Sequence, residues 1–137
     1  MRCGPKWHTW KNNVFSAADK VTVNGPLWLL AGGETTVTVR GPGQGGRNQE
    51  LALAASRKIR GKGLLLSLAT DGRDGPTDSA GAVVDEDTCA AVEAQGMSPE
   101  KAIADNAEYE VLKEIDAHFF TGYTGTNVCD IIFILVP

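Results

Sequence analysis

Apolar residues form continuous runs in some parts of the chain and periodic patterns in others. Short continuous runs at 27–31, 64–70 and 131–136 predict buried strands. The segment 35–40 alternates between two faces and is rich in threonine and valine, which predicts a half-buried strand. Apolar residues in 47–60 recur every three or four positions, which predicts an amphipathic helix.

The second half of the chain is predicted to add one short strand and three helices. The strand is "GAVVD", residues 81–85, and a helix follows over 86–95. Ser98 and Pro99 have the residue types of a helix start, with serine as the cap and proline in the first turn. Asn106 is predicted to cap a further helix whose apolar stripe is Val111, Leu112, Ile115 and Phe119.

Strands that alternate with helices predict the α/β class. The continuous apolar run at 64–70 indicates a strand with helices on both faces, so we expect a three-layer α/β/α sandwich with a mostly parallel sheet. The strands at 27–31 and 35–40 are joined too tightly for a helical crossover, which makes the expected sheet mixed.

Three glycine-containing polar loops, at 41–46, 71–80 and 121–130, each lie next to a predicted strand. Ligands of open α/β sheets bind beyond the carboxyl ends of the strands. We therefore expect the three loops to meet at one rim and to form a pocket for negatively charged oxygen atoms.

The first loop, "GPGQGG", leads directly into Arg47 and a predicted helix. Glycines let the backbone approach a ligand, and a helix N-terminus with an arginine favours an anion such as phosphate. The spacing matches neither GxGxxG nor GxxxxGK[ST], however. A tight turn whose glycines serve only geometry explains the same sequence equally well.

The second loop carries three carboxylates, Asp71, Asp74 and Asp78. Carboxylates at the end of a buried strand suit Mg²⁺, which prefers one or two of them together with phosphate oxygens. An exposed turn in which aspartates bond to backbone N–H groups is the alternative, and we favour it for Asp74 and Asp78. Asp71 differs because it comes directly after the buried strand.

The third loop, "TGYTGTN", offers hydroxyl, amide and backbone N–H groups. Its Thr124, Thr126 and Asn127 have the residue types that bind substrate or phosphate oxygens. A hydrogen-bonded turn with no ligand remains an equal alternative for each of them.

Composition restricts the possible functions. A chain of 137 residues with 42% hydrophobic and 22% charged residues is typical of one folded domain. The net charge of −4 argues against nucleic-acid binding, which usually needs a basic surface. The cysteines Cys3, Cys89 and Cys129 contain no CxxC pair, so we expect free thiols. No apolar run suits a signal peptide or a membrane span, and we expect a cytoplasmic protein without membrane partners.

Read together, the motifs "GGETTVTVRGPGQGGRNQE", "TDGRDGPTDSAGAVVD" and "TGYTGTNVCDI" resemble the C-terminal MOFRL domain of the glycerate 2-kinase family, once also described as hydroxypyruvate reductases. The resemblance covers residues 27–137. Residues 1–26 do not resemble the family's upstream domain and are expected to be a divergent leader. Tyr123 replaces a usual proline, Cys129 a usual polar residue and Ala69 a common glycine.

The resemblance implies a two-domain kinase that phosphorylates D-glycerate at O2 with ATP and Mg²⁺ in a cleft between its domains. It implies catalytic roles for Arg47 and Asp71, with Asp71 also the metal ligand. Glu34, Asn48, Asp78, Thr126 and Asn127 also stand at motif positions of the family. Together with Gly45, Gly46 and Thr124 of the polar loops, they are the expected substrate- and phosphate-binding residues.

Two functions remain open from the sequence. A stand-alone MOFRL domain would have weak or no kinase activity, because it carries half of a cleft. It would need a separate N-terminal-domain chain as its partner. The alternative is a non-catalytic module that binds a small phosphorylated or anionic ligand, binds another protein, or forms a homo-oligomer.

Overall fold

The computed structural model describes residues 24–137, and the structural statements below concern that part of the chain. Five strands form one sheet in the order β1-β5-β2-β3-β4. The strands are β1 Leu27–Gly33, β2 Leu64–Ala69, β3 Gly81–Asp85, β4 His118–Phe119 and β5 Asp130–Val136. The helices are α1 Arg47–Ser56, α2 Thr88–Ala94, α3 Pro99–Asp105 and α4 Glu108–Glu114.

All hydrogen-bonded strand pairs in the described sheet are antiparallel, so the predicted mostly parallel sheet is wrong. The α/β class is confirmed. Strands β1 and β2 do run in the same direction, and α1 crosses between them as a parallel arrangement requires. The last strand, β5, lies between β1 and β2 and runs in the opposite direction, so each of them pairs with an antiparallel neighbour.

The predicted strand at 35–40 does not form. This segment is extended but makes no strand pairing, because its end is bonded elsewhere. The Asn106 side-chain oxygen accepts from the backbone N–H groups of Arg40 at 2.7 Å and Gly41 at 3.0 Å. These contacts hold the segment against the end of α3 rather than beside β1.

The core lies between one face of the sheet and the four helices. It contains residues of every helix together with alternate residues of β2, β3 and β5. Along β2 only Leu65, Ser67 and Ala69 are buried, while the residues that alternate with them are half-buried. The prediction of a strand covered on both faces, and with it the three-layer sandwich, is therefore not met by residues 24–137, whose helices form one layer.

The helix boundaries follow local signals in part. Ser98 caps α3 by accepting from the Lys101 backbone N–H at 3.3 Å, which confirms that helix start. Asn106 does not cap the next helix but ends α3 in a left-handed conformation, with φ 53°. Phe119 was predicted in the stripe of the last helix and lies instead in β4, paired with Gly81.

No helix within residues 24–137 is long and apolar enough to cross a membrane. Cys89 and Cys129 are unpaired thiols, as predicted, whereas Cys3 lies outside the described residues. The predicted leader, residues 1–26, also lies almost entirely outside them.

Candidate functional site

One edge of the sheet brings the polar loops together. Gly33 at the end of β1 pairs with Asp130 at the start of β5, and Asp130 also pairs with Ala69 at the end of β2. The segments that follow β1 and β2 and the loop that precedes β5 therefore leave the sheet side by side. We call the polar side chains at this edge the rim: Glu34, Arg47, Asp71, Asn127 and Asp130.

Arg47, the first residue of α1, is held by a two-pronged contact with Asp130. Its Nε donates to Asp130 Oδ2 at 2.7 Å and its Nη2 to Oδ1 at 2.9 Å, and the carboxylate is almost fully buried. The hydrogen bond to Asp130 raises the pKa of Arg47. A cation at a helix N-terminus was expected to require a bound anion, and here the protein itself supplies one.

The third guanidinium nitrogen of Arg47, Nη1, makes a weaker contact. Its Nη1 lies 3.6 Å from Glu34 Oε1, which is longer than a strong charged hydrogen bond. The Arg47 side chain is 31% exposed and that of Glu34 59% exposed. Nη1 can therefore donate to a further anion on this side while Nε and Nη2 stay bonded to Asp130.

The N-terminus of α1 is capped from inside the protein by Asp74. The backbone N–H groups of Asn48 and Gln49 donate to its carboxylate at 3.0 and 2.9 Å. Burial raises the pKa of Asp74, and these backbone and side-chain donors oppose the rise. Asp74 thus occupies the position where the sequence suggested a bound phosphate. It bonds to backbone N–H groups, as the alternative interpretation of this residue predicted.

The glycines before α1 serve close packing. A Cβ on Gly46 would lie 2.3 Å from Asp74 Cγ, and one on Gly45 would lie 2.0 Å from Glu108 Oε2. A side chain at Gly46 would also meet the Asp74 backbone oxygen, whereas one at Gly45 would have to displace the end of the Glu108 side chain. The structure therefore supports the tight-turn explanation of this loop over the anion-binding one for Gly45 and Gly46.

Asn48 was predicted to bind substrate, but its polar atoms all face inward. Its Nδ2 donates to Asp74 and Asp130, both at 3.1 Å, and its Oδ1 accepts from Ser67 Oγ at 2.6 Å. The side chain is buried. Asn48 therefore orients Asp130, and through it Arg47, without a polar atom free for a ligand.

Two further acids lie behind the glycine loop. Burial raises the pKa of Glu108 to about 8 and that of Glu50 to about 7. Glu108 is 1% exposed, and its Oε1 has no hydrogen-bond partner among the described residues. A protonated carboxyl at this position avoids a buried charge, which explains how the loop can pack directly against it.

The second and third loops meet at Asp71. Its Oδ1 accepts from the Arg73 backbone N–H at 3.0 Å, and its Oδ2 lies 3.4 Å from Asn127 Nδ2. The Thr124 N–H reaches the Asp71 carbonyl oxygen at 3.3 Å, and the Thr126 N–H reaches Thr124 Oγ1 at 3.4 Å. These four predicted site residues form one cluster in which the three loop residues are exposed and Asp71 is half-exposed.

Cys129 lies between this cluster and Glu34. Its N–H donates to Asn127 Oδ1 at 3.0 Å, and its thiol lies 3.9 Å from Glu34 Oε2. Its backbone has a left-handed φ of 67°, a conformation that non-glycine residues adopt at some energetic cost and often at functional sites.

Asp78, a further predicted site residue, makes its side-chain hydrogen bond outside the rim. Its Oδ1 accepts from Tyr109 Oη at 2.7 Å, and this bond raises the pKa of Tyr109. Among residues 24–137, neither a hydrogen bond nor an ion pair joins Asp78 to the rim. The turn that carries it points toward α4.

A cavity of about 370 Å³ opens beside Arg47. Its walls are the extended segment 34–39 and the glycine loop, and Glu108 lies among its lining residues. This volume is within the range of small-molecule sites. The segment that failed to become a strand thus forms one wall of the candidate site.

Sequence reasoning missed two residues that build the site, Asp130 and Glu108, and assigned Asp74 to an exposed turn. A signal existed for Asp130, because it directly precedes the apolar run of β5 and is the first buried position in that strand's alternating pattern. No comparable pattern marks Glu108 or the burial of Asp74, whose partners lie far away in sequence.

Comparisons with known proteins show the family of this chain. The family model described as MOFRL family matches residues 27–130. The chain is 47% identical over 113 residues to the glycerate 2-kinase of Pyrococcus horikoshii and 49% identical over 113 residues to the D-glycerate 2-kinase of Thermotoga maritima. These matches cover 81% of this chain in each case, but only 26% and 27% of the relatives.

A solved structure gives the same result. The crystal structure of the Thermotoga maritima glycerate kinase matches with a TM-score of 0.83 and 41% identity, over 96% of this chain and 32% of that one. The chain therefore spans about a quarter to a third of the length of the relatives it matches.

Proposed function

Because this chain belongs to the MOFRL family, we propose that it supplies the C-terminal share of a glycerate 2-kinase active site. The observation that carries the proposal is the rim, where loops distant in sequence place Arg47, Asp71 and Asn127 at one sheet edge. The match covers only 26% and 27% of these relatives, so the remaining residues of such a site belong to another domain.

Arg47 is the proposed anion-binding residue. Asp130 and Asn48 fix the direction of its guanidinium, while Nη1 faces the exposed Glu34. A carboxylate or phosphoryl group of a small substrate would bind on that side, next to the cavity of about 370 Å³. Positioning and charge stabilisation of this kind are the main protein contributions to phosphoryl transfer.

Asp71 is the proposed ligand for Mg²⁺. Residues 24–137 contain no cluster of three acidic, histidine or cysteine side chains that could enclose a metal ion. A single half-exposed carboxylate does fit Mg²⁺, which is commonly held by one or two carboxylates, water and phosphate oxygens. Thr124, Thr126 and Asn127 would orient Asp71 and bind the oxygen atoms of the nucleotide or substrate.

When bound, Mg²⁺-ATP supplies the transferable phosphoryl group and neutralises part of its charge. The charges of this rim do not attract a polyphosphate unaided. Glu34, Asp71 and Asp130 carry three negative charges, against two positive ones on Arg47 and the neighbouring Arg73. Further cations from a second domain are therefore required, and we expect the chain alone to have little or no turnover.

A second candidate is a non-catalytic module for a small phosphorylated ligand or a partner protein. One observation favours it: Arg47 and the α1 N-terminus already have protein anions, Asp130 and Asp74, as their partners. In such a site the charged groups are paired without a ligand and without a second domain.

The test is ADP release in the presence of D-glycerate, ATP and Mg²⁺. The chain would be assayed alone and as a chimera, in which residues 27–137 replace the matching C-terminal part of the Thermotoga maritima enzyme. We expect turnover only from the chimera, and loss of it on Arg47→Ala. An inactive but folded chimera, together with heat stabilisation of the separate chain by Mg²⁺-ATP, would favour the binding module instead.

A further inference from the structure

The cavity beside Arg47 has one wall residue with an unsatisfied polar atom, Glu108. This residue is 1% exposed, and its Oε1 has no hydrogen-bond partner among the described residues. Glu108 is also one of the residues that line the cavity of about 370 Å³. A buried polar atom without a partner is costly, and in most proteins such an atom is hydrogen-bonded. The carboxyl of Glu108 therefore points to a ligand that bonds to it.

The glycine loop fixes the position of this carboxyl. Oε2 of Glu108 packs so closely on the loop that a Cβ on Gly45 would lie 2.0 Å from it. The backbone N–H of the next residue, Tyr109, donates to the Gln44 carbonyl oxygen at 2.9 Å. These contacts hold the first turn of α4 against the loop that forms another wall of the cavity. A polar group held in place in this way loses little conformational entropy when a ligand binds.

The Glu108 carboxyl should be neutral at pH 7. Burial, with smaller contributions from the neighbouring acids Glu50, Asp74 and Glu110, raises the pKa of Glu108 to about 8. A neutral carboxyl carries one O–H donor and one carbonyl acceptor side by side. Its complement is a ligand edge on which an N–H donor lies beside an acceptor, whereas a cationic ligand would need the ionised form.

The other walls of the cavity suit a flat ring. Val37 and Val39 of the extended segment and Pro76 of the second loop supply apolar surface, and the glycines of the first loop lie among the lining residues as well. Glycine backbone allows a ring to approach closely because there is no side chain in the way. A volume of about 370 Å³ is within the range of small-molecule sites, and a three-carbon hydroxy acid would occupy only part of it.

The cavity opens onto the rim. Glu34 and Arg47 belong to both, since each lines the cavity and the two side chains approach each other at the rim. A ligand that combines a flat ring with an anionic chain could therefore place the ring against Glu108 and the chain beside Arg47. Nucleotides are built in this way.

We propose that the cavity is the subsite for the adenine base of the nucleotide, with Glu108 bonded to the edge that carries the exocyclic amino group. Adenine presents this amino donor beside a ring-nitrogen acceptor, which complements a neutral carboxyl whichever of its oxygens bears the proton. The phosphates would extend from the cavity toward Arg47. The choice of adenine rests on the proposed kinase function, in which ATP is the phosphoryl donor.

Adenosine is the probe, because it carries the base without the phosphates. The full chain, labelled with ¹⁵N, would be titrated with adenosine and followed by amide NMR, and we expect saturable shifts at Gly43, Gly45 and Gly46. Glu108→Gln keeps a donor and an acceptor and should change the dissociation constant by less than about threefold, whereas Glu108→Leu should raise it at least about tenfold. Purine riboside, which lacks the amino donor, should bind the unmodified chain at least about tenfold more weakly than adenosine.

Two matched pairs of variants control for indirect effects. Glu110→Leu removes an exposed acid of the same helix and should leave adenosine binding unchanged. Val37→Trp tests the opposite wall without altering Glu108, because the larger ring should fill the cavity and prevent binding. Thr38→Trp adds the same ring at the next position, which is exposed and is not among the lining residues, and should bind adenosine normally.

Three results would each overturn the base subsite: no saturable adenosine shift at the three glycines, equal affinity for adenosine and purine riboside, or normal binding by Val37→Trp. Shifts of these glycines with ribose 5-phosphate but not with adenosine would overturn it in favour of an anion beside Arg47. An active chimera combined with a chain that does not bind adenosine would remove the subsite and leave the kinase role standing. Adenosine binding by the chain combined with an inactive chimera would support the subsite and contradict the kinase role.

Discussion

Asp71 and Asp74 lie three residues apart in one loop but have opposite environments. Asp74 is 1% exposed and accepts from the backbone and side-chain nitrogens of both Asn48 and Gln49. Asp71 is half-exposed and has two acceptor contacts, one of them 3.4 Å long. Asp74 is therefore a carboxylate that builds the site, whereas Asp71 is accessible for chemistry.

The same contrast holds for the wider region. Asp74 and Asp130, two of the interior acids, fix the start of α1 and the direction of Arg47. Glu108, the third, packs against the glycine loop, and all three are buried. The loop at 121–129 is exposed throughout, and its hydrogen bonds are made within the loop, to Thr70 and Asp71, and from the Cys129 thiol to Glu34. Mutations of the interior should therefore affect stability first, and mutations of the rim should affect ligand binding first.

The largest expected effect is on stability, from Asp74→Ala. Removing this carboxylate leaves the Asn48 and Gln49 N–H groups buried without partners, and we expect a loss of about 4 kcal/mol in the free energy of unfolding. Urea unfolding followed by circular dichroism would measure it. Asp71→Ala is the matched control and should cost less than about 1 kcal/mol. Equal losses would remove the distinction between the two aspartates.

The interior acids should also make stability depend on pH. Burial raises the pKa of Glu108 to about 8 and that of Glu50 to about 7, so the native state keeps protons that the unfolded chain loses above about pH 4.5. The contribution of these two acids to stability should therefore be full below that pH and should be lost as the pH rises from about 5 to 8.

The Glu108→Gln variant tests this directly, because it keeps the shape of the neutral acid. At pH 8 it should be more stable than the unmodified chain by about 3 kcal/mol, and at pH 5 the two should be alike. Urea midpoints across this pH range give the comparison. A pH profile that is the same with and without the substitution would show that Glu108 is ionised in the native state.

The Arg47–Asp130 pair joins the interior to the rim, and it should give a smaller effect. Arg47→Met leaves the Asp130 carboxylate buried without its partner, at a cost of about 2 kcal/mol because the arginine is partly exposed. Adding Asp130→Asn should recover part of that loss. A double-mutant cycle in urea measures the coupling, and strictly additive losses would mean that the pair contributes no net stability.

The smallest stability effect is expected at the rim itself. Asn127→Ala removes an exposed side chain whose contact with Asp71 is 3.4 Å long, and it should change the free energy of unfolding by less than about 0.5 kcal/mol. Thermal and urea unfolding would both detect a larger change. A loss above about 2 kcal/mol would show that the loop is part of the folded scaffold.

Local patterns predicted the parts of the fold that depend on local physics. The apolar runs of β2 and β5, the cap at Ser98 and the helix that begins at Arg47 all lie where the pattern placed them. The antiparallel sheet could not be read in the same way. It depends on the insertion of β5 between β1 and β2, and the strands themselves carry no signal for that order.

The candidate site shows the same limit. The sequence indicated that Arg47 and Asp71 matter, but it could not show that Asp130 pairs with Arg47 from 83 positions away. The extended segment 35–40 is the clearest failure. Its alternation predicted a strand, yet long-range hydrogen bonds to Asn106 override that preference.

The most direct test of the proposed rim compares two aspartates of one loop in the active chimera. Asp71→Asn should lower kcat for D-glycerate phosphorylation by at least about 100-fold with an unchanged Tm. Asp78→Asn, which removes the same charge next to Tyr109, should stay within about twofold. Equal losses in the two variants, or full activity of Asp71→Asn, would contradict a catalytic rim centred on Asp71.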